Sequence, residues 1–238
     1  MSDKTRVAIM QPYLFPYIGY FQLIQAVDKF VIHDDVQYIK GGWINRNRIR
    51  FNDKAYLFTF SLKKDSSHKN INTRSFSDQF EAEKSRFLRI MYQHYHTSPY
   101  FDHVNDVLST IMEDNNKNIS TFITHSLKLI CGYLEIPTLF ALSSELLKNN
   151  TLKGQDRVID ICKREGAEFY INLSGGVKLY AKGAFRKHGI TLLFLHPKDI
   201  PYEGNVQPVI PNLSIIDVMM FNSKDRIRDF LRSFYTLS

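Results

Sequence analysis

Val7-Ala8-Ile9-Met10-Gln11-Pro12-Tyr13-Leu14-Phe15-Pro16-Tyr17-Ile18-Gly19-Tyr20 is the stretch on which the fold turns. Four apolar residues run up to Gln11-Pro12, and proline cannot donate to a sheet ladder, so residues 7–10 suit a buried strand feeding a turn. A helical pattern follows over residues 19–27. Residues 30–33 then make a second short β-rich run, closed by Asp34-Asp35. Strand, turn, helix and strand in that order open a parallel sheet, because parallel neighbours need a crossover between them.

Residues 43–51 are polar and aromatic by turns, residues 56–62 alternate as a strand, and residues 66–73 read as a polar loop. From residue 77 to about 118 the spacing is helical, with Phe80, Phe87, Ile90 and Met91 before the break at Pro99 and Val104, Val107, Leu108 and Ile111 after it. Residues 119–134 add a helix with Phe122, Ile123, Leu127 and Ile130 on one face. A strand is expected at 137–142, a helix at 157–164 ended by Gly166, a strand at 169–173, a turn and helix at 175–188, and a strand at 191–195. The last helix starts at Ser214, where Ser214-Ile215-Ile216-Asp217 is a capping-box pattern with Asp in place of Glu or Gln. The reading is one α/β domain over residues 1–238 with a helical insertion at about 77–134.

Composition agrees with a folded globular chain: 238 residues, 44% hydrophobic and 23% charged. The net charge of +7, from 31 Lys and Arg against 24 Asp and Glu, favours anionic partners. The basic residues are scattered rather than gathered in a run, which points to nucleotide phosphates and away from nucleic acid. Cys131 and Cys162 lie in apolar-periodic segments and read as reduced core thiols, not a disulfide framework. The first apolar run is cut off by Gln11-Pro12 and no run approaches the roughly 18 residues of a membrane span, so a cytoplasmic location is expected.

The opening turn resembles the first turn of Rossmann-like (HUP-like) nucleotidyl-transfer folds, where backbone amides and a helix N-terminus hold phosphate and many members carry His-x-Gly-His. Here Tyr17-Ile18-Gly19-Tyr20 stands in that place. Tyrosine donates a hydrogen bond to phosphate but cannot become the cation that histidine can. The resemblance implies a mainly parallel sheet with an inserted helical subdomain, and makes Gln11, Tyr13, Tyr17, Gly19 and Tyr20 substrate-binding candidates. The alternative is an aromatic packing cluster of Tyr13, Phe15, Tyr17, Tyr20 and Phe21 around a proline turn.

A second resemblance covers nearly the whole chain. Residues 10–21, Asp34-Asp35-Val36-Gln37-Tyr38, Trp43-Ile44-Asn45-Arg46-Asn47 and Ser98-Pro99-Tyr100-Phe101 come first. Ser143-Ser144-Glu145-Leu146, Lys153-Gly154 with Arg157, Asn172 with Gly175-Gly176, and Leu213-Ser214-Ile215-Ile216-Asp217 with Phe221-Asn222 follow in order. Together they resemble the WbqC-like family, found among bacterial O-antigen and related surface-polysaccharide genes. Gly41-Gly42, where a basic residue is expected, and Leu173-Ser174, where proline often precedes the glycine pair, depart from its pattern. The resemblance implies work on nucleotide-linked sugars.

The candidate chemistry follows the sheet edge. Asp34 and Asp35 come directly after a strand, where a carboxylate can hold Mg²⁺ with substrate phosphates or act as a base; the alternative is a turn or cap aspartate. His33 is the third catalytic candidate. Alternation would put Trp43, Asn45 and Asn47 on one face and Arg46 and Arg48 on the other, with arginine suited to phosphate and tryptophan to a base or sugar. A solvated basic strand with Trp43 in the core is the plainer reading. Asn172, Gly175 and Gly176 leave a strand in a glycine pair that permits positive φ and close approach of an anion. Ser143 and Ser144 should share that edge. Lys153 and Arg157 begin the next helix and could reach phosphate, surface pairing being the equal alternative for Lys153. His94, His96 and His103 form no zinc arrangement, so no metal site is expected.

These residues suggest an amide-forming acyl or aminoacyl transferase or ligase acting on the amine of a nucleotide-linked amino sugar. The donor is open between an acyl-adenylate made from ATP, with Mg²⁺ a candidate, and a thioester brought by an acyl carrier protein. A nucleotidyltransferase and a non-catalytic nucleotide-sugar binding module are the alternatives.

Overall fold

The computed structural model describes residues 4–51, 54–66, 68–201 and 210–238. The chain opens with β1 (Arg6–Met10), α1 (Ile18–Gln25) and β2 (Lys29–Ile32), followed by the hairpin β3 (Arg46–Phe51) and β4 (Lys54–Thr59). Three helices come next: α2 (Phe80–Tyr95), α3 (Phe101–Met112) and α4 (Ile119–Tyr133). Then the strand-helix rhythm returns with β5 (Leu139–Leu142), α5 (Gly154–Arg164), β6 (Phe169–Leu173), α6 (Lys182–Arg186) and β7 (Thr191–Pro197). α7 (Ile215–Phe221), α8 (Lys224–Ser233) and β8 (Tyr235–Leu237) complete it.

Six strands form one sheet in the order β5-β2-β1-β6-β7-β8, all parallel except β8, which runs against β7. The fold is therefore the expected Rossmann-like α/β sheet. The chain winds outward from β1 through β2 to β5, then returns to the other side of β1 with β6. The point of reversal, between β1 and β6, is where open α/β sheets leave a crevice beyond their carboxyl ends.

Alternation along the strands explains the two layers. Val7 and Ile9 of β1, with Tyr170 of β6 and Leu192 and Phe194 of β7, face α5 and α6 and pack on Val158, Ile161 and Phe185. Ala8, Ile171 and Leu195 face the other way. There they join one continuous buried cluster that runs through α1 and on to Phe80, Phe87, Leu108 and Phe122 of the three-helix segment. Both cysteines are buried and free, and burial pushes their thiols up. Among the described residues no helix is long and apolar enough to cross a membrane.

The C-terminal region differs from the single helix read from the sequence. Asn222 is extended (φ −134, ψ 144) and Ser223 starts α8 as its cap, accepting from the Arg226 amide at 3.3 Å. The capping box is also incomplete. Ser214 Oγ does accept from the Ile216 amide, but the Ser214 amide donates to the Arg48 carbonyl at 2.8 Å, and Asp217 instead accepts from Tyr95 Oη at 2.7 Å.

Candidate functional site

A cleft of about 540 Å³ opens at the point of reversal, between the carboxyl ends of β1 and β6. Met10, Gln11 and Pro12 leave β1 into it, His33 enters from the end of β2, and Asn172 and Leu173 close it from β6. Its size and mainly apolar character are those of a small-molecule site. No Asp, Glu, Lys or Arg is among its described lining residues.

The turn after β1 is held in an unusual shape. Phe15 has φ +45, a region that side chains other than glycine seldom occupy. Its carbonyl accepts from Ser214 Oγ at 2.8 Å and from Asn47 Nδ2, which also donates to the Leu14 carbonyl at 3.1 Å. The Phe15 ring stacks on Phe87 at 5.5 Å. Hairpin, α7 and α2 thus fix the turn from three sides.

The aromatic residues of the turn divide their roles. Tyr20 is buried and donates to the Gln11 carbonyl at 2.8 Å, bracing the start of the turn. Tyr13 stands between Tyr20 and Trp43, with ring centroids 6.0 and 6.3 Å away, and Tyr17 lies 6.4 Å from it. Burial, with Tyr17 close by, pushes the Tyr13 phenol up, and burial raises Tyr17 as well. Both stay protonated at neutral pH. Gly19 does not line the cleft: a Cβ there would meet the Tyr17 ring at 2.5 Å and Pro197 at 2.8 Å, so the glycine makes room for neighbours.

His33 is the one expected catalytic residue that lines the cleft. Its amide donates to the Met10 carbonyl at 2.7 Å, and its Nε2 is buried with no hydrogen-bond partner. Burial chiefly, then the Arg157 guanidinium and, less strongly, Lys148 hold it down at about 4 against the pull of Asp35. It is neutral at pH 7. Asp34 is buried and turned to β5, taking the Ser144 amide at 2.9 Å and the Ser144 hydroxyl at 2.7 Å. Asp35 pairs with Lys148 at 2.7 Å and with Arg157. Lys148, Ser143 and Arg157 outweigh burial and hold its carboxyl below the usual range. With both carboxylates so engaged and none in the lining, the cleft offers Mg²⁺ no carboxylate ligand among the described residues.

Several expected substrate contacts serve the scaffold. Asn45 is buried, accepting from Tyr38 Oη at 2.8 Å and donating to the Phe60 carbonyl at 2.7 Å. Arg46 donates to the Gly42 carbonyl at 2.9 Å and to the Gly41 carbonyl, closing the bend before β3. Trp43 is neither beside Asn45 nor in the core. The strand begins only at Arg46, and the indole, 41% exposed, lies under the Arg46 and Arg48 guanidinium groups at 5.5 and 5.2 Å. It still lines the cleft. Ser143 is buried, and Lys153 is the exposed cap position of α5; neither lines the cleft.

Asn172 donates to Tyr170 Oη at 2.9 Å and accepts from the Leu173 amide at 2.7 Å. Gly175 and Gly176 line the cleft in a single 3-10 turn, not in positive φ. Gly176 matters for a different reason, since a Cβ there would sit 3.0 Å from the Asn172 amide and press on that side chain. Sequence reading missed Ile39, Leu179, Tyr180 and Lys148. The first three line the cleft, and only their nearness to Gly42 and to the Gly175-Gly176 pair signalled them. Among the described residues no group of three or more His, Cys, Asp or Glu could hold a metal ion.

Comparison with known proteins adds two matches. The model of the WbqC-like protein family matches residues 11–229. An uncharacterized protein of Mycobacterium tuberculosis, Rv1507c, is 30% identical over 232 residues, covering 95% of this chain and 97% of its own. No solved structure matches.

Proposed function

Since the chain belongs to the WbqC-like protein family, we propose that it is an acyl or aminoacyl transferase that forms an amide on the amine of a nucleotide-linked amino sugar, in the assembly of surface polysaccharide such as O-antigen. The observation that carries this is His33: a neutral imidazole with an unpartnered Nε2, in a cleft whose described lining holds no charged side chain. Such a lining suits a sugar ring and a neutral amine better than a triphosphate. Tyr13 and Trp43 form an aromatic face for the ring, and the Gln11 carboxamide in the lining can bond its hydroxyls.

In this reaction the amine nitrogen attacks the acyl carbon. The new C–N bond forms, the bond to the leaving sulfur or oxygen breaks, and one amine proton is lost. The His33 ring, which lines the cleft, accepts the hydrogen bond of the incoming amine on a ring nitrogen and takes its proton once attack has made the amine nitrogen acidic. The low basicity of His33 fits acceptance at that stage, not before it. Of the two donor types, a carrier-bound or free thioester agrees with a cleft lacking cations and carboxylates better than ATP does. The same lack counts against nucleotidyl transfer, which draws on metal and cationic groups at the phosphates.

The test is turnover of nucleotide-linked amino sugars with acyl-thioesters, or with carboxylate and ATP, followed by mass spectrometry of the amide. His33→Ala should lower kcat about 10²- to 10⁴-fold, the usual contribution of a general base. Binding of the nucleotide sugar with no amide under either donor, and none lost in the variant, would leave a binding module and reject the enzyme.

A further inference from the structure

Two residues beyond His33, just past the end of β2, Asp35 sits in a buried cluster of charges. Beyond Ile32 the chain runs His33-Asp34-Asp35, and Asp34 is turned away and locked to Ser144. Asp35 receives Lys148, whose side chain is 1% exposed and which also donates to the Ser143 carbonyl, and Arg157 from α5, at 12%. Two cations therefore meet one carboxylate in a place largely closed to water.

That composition is costly as a structural device, because burying ions is offset only when charges and hydrogen bonds are fully matched. Here they are not: Asp35 Oδ1 and Arg157 Nε are both buried without a hydrogen-bond partner. The third such atom in the neighbourhood is His33 Nε2. We propose that Lys148, Arg157 and Asp35 are positioning residues that set the charge state of His33 from behind the cleft wall. The use of that charge state in amide formation rests on the function proposed above; the electrostatic control itself does not.

The remaining groups near the cleft do not supply this control. Tyr13, Tyr17, Tyr20 and Tyr180 are raised by burial and uncharged at neutral pH. Asp34 is bonded to Ser144, and Lys40 and Lys178 are exposed beside the cleft. Among charged groups acting on His33, Arg157 and Lys148 oppose its protonation and Asp35 favours it. The three influences have opposite signs, and this makes the idea testable in a way that simple loss of packing is not.

The measurement is an NMR titration of His33 in the full chain, with thermal unfolding run on each variant to show that it is folded. Lys148→Met and Arg157→Met should each raise the His33 midpoint by on the order of one pH unit. Asp35→Asn should lower it, and Lys148→Arg should leave it in place. Lys148→Gln, which keeps a hydrogen bond to Ser143, should repeat the rise and serves if the methionine variant does not fold. Midpoints that stay fixed in folded variants, or that move the same way on removal of cation and carboxylate, overturn the proposal. Turnover of the same variants separates the two ideas: a shifted His33 without any amide-forming activity refutes the proposed reaction and leaves the charge control standing.

Discussion

At the scale of the residue, side chains that look reactive are largely spoken for. Asp34 and Asn45 stand out in the sequence as polar groups at a strand end and beside an arginine, yet each is buried with its bonding filled by the scaffold. Nothing in a linear sequence tells a carboxylate aimed at a substrate from one aimed at a serine 110 positions later. His33 is the opposite case, and its pH behaviour follows from its surroundings. Its folded value of about 4 lies below its ordinary 6.5, so the unfolded chain binds the extra proton first. The stability due to neutral His33 is complete above pH 6.5 and is lost as pH falls towards 4. At about 1.4 kcal/mol per unit this amounts to about 3 kcal/mol. Urea unfolding of the wild type and His33→Asn at pH 7 and pH 4.5 checks it: the variant should lose less stability on acidification. Equal losses would show that His33 is not held neutral. Asp35, held below the usual carboxylate range, adds its own loss only at still lower pH.

At the scale of the element, apolar periodicity located β1, β2, the helices between residues 80 and 133, and the later strands, because burial on a regular backbone leaves that pattern. It failed where the backbone changes state within a polar pair, as at Asn222-Ser223, and where a strand is too short to show alternation, as in β8. What holds β8 in place is partly visible at α1. Gln22 is buried, and its Nε2 donates to the Phe230 and Phe234 carbonyls at 3.0 and 2.9 Å, satisfying the end of α8. Gln22→Leu should therefore cost about 0.5–1.5 kcal/mol for each hydrogen bond lost, since the Phe230 and Phe234 carbonyls keep the Phe234 and Lys198 amides as donors. Hydrogen exchange should show faster exchange at β8 and the last turn of α8. Unchanged protection there would mean that α8 is held by its apolar face alone.

At the scale of the molecule, the order of the strands did more to locate the cleft than any single motif. The sequence reading put the ends of β2, β5 and β6 on one edge, and the parallel registers do the same. It could not foresee that the β3–β4 hairpin would stay outside the main sheet, its two strands laddering only with each other. The molecule's positive charge is kept from the cleft lining and stands beside it. Lys40 lies between the lining residues Ile39 and Gly42, and Lys178 between Gly176 and Leu179; both are exposed and carry no ion pair among the described residues. On the proposed function they would meet the phosphates of a ligand whose sugar is inside the cleft. Replacing both with alanine should weaken binding of a nucleotide-linked sugar about 2- to 30-fold, at about 0.2–1 kcal/mol for each exposed charge, and flatten the salt dependence, with kcat little changed. Calorimetric titration at two ionic strengths decides this; the same affinity and the same salt slope would place the phosphates elsewhere.

The turn at Phe15 has a consequence for how the protein is made. Its left-handed backbone is secured by Asn47 and by Ser214, the second of them 199 positions further along the chain. During synthesis, the first strand and its turn leave the ribosome long before Ser214 does. The emerging chain can form its first helix and strand early, but the turn at Phe15 gains its second side-chain donor only once Ser214 has emerged. Fragments ending before residue 214 will lack that closing bond, and the turn beside the cleft is left with Asn47 alone on the Phe15 carbonyl.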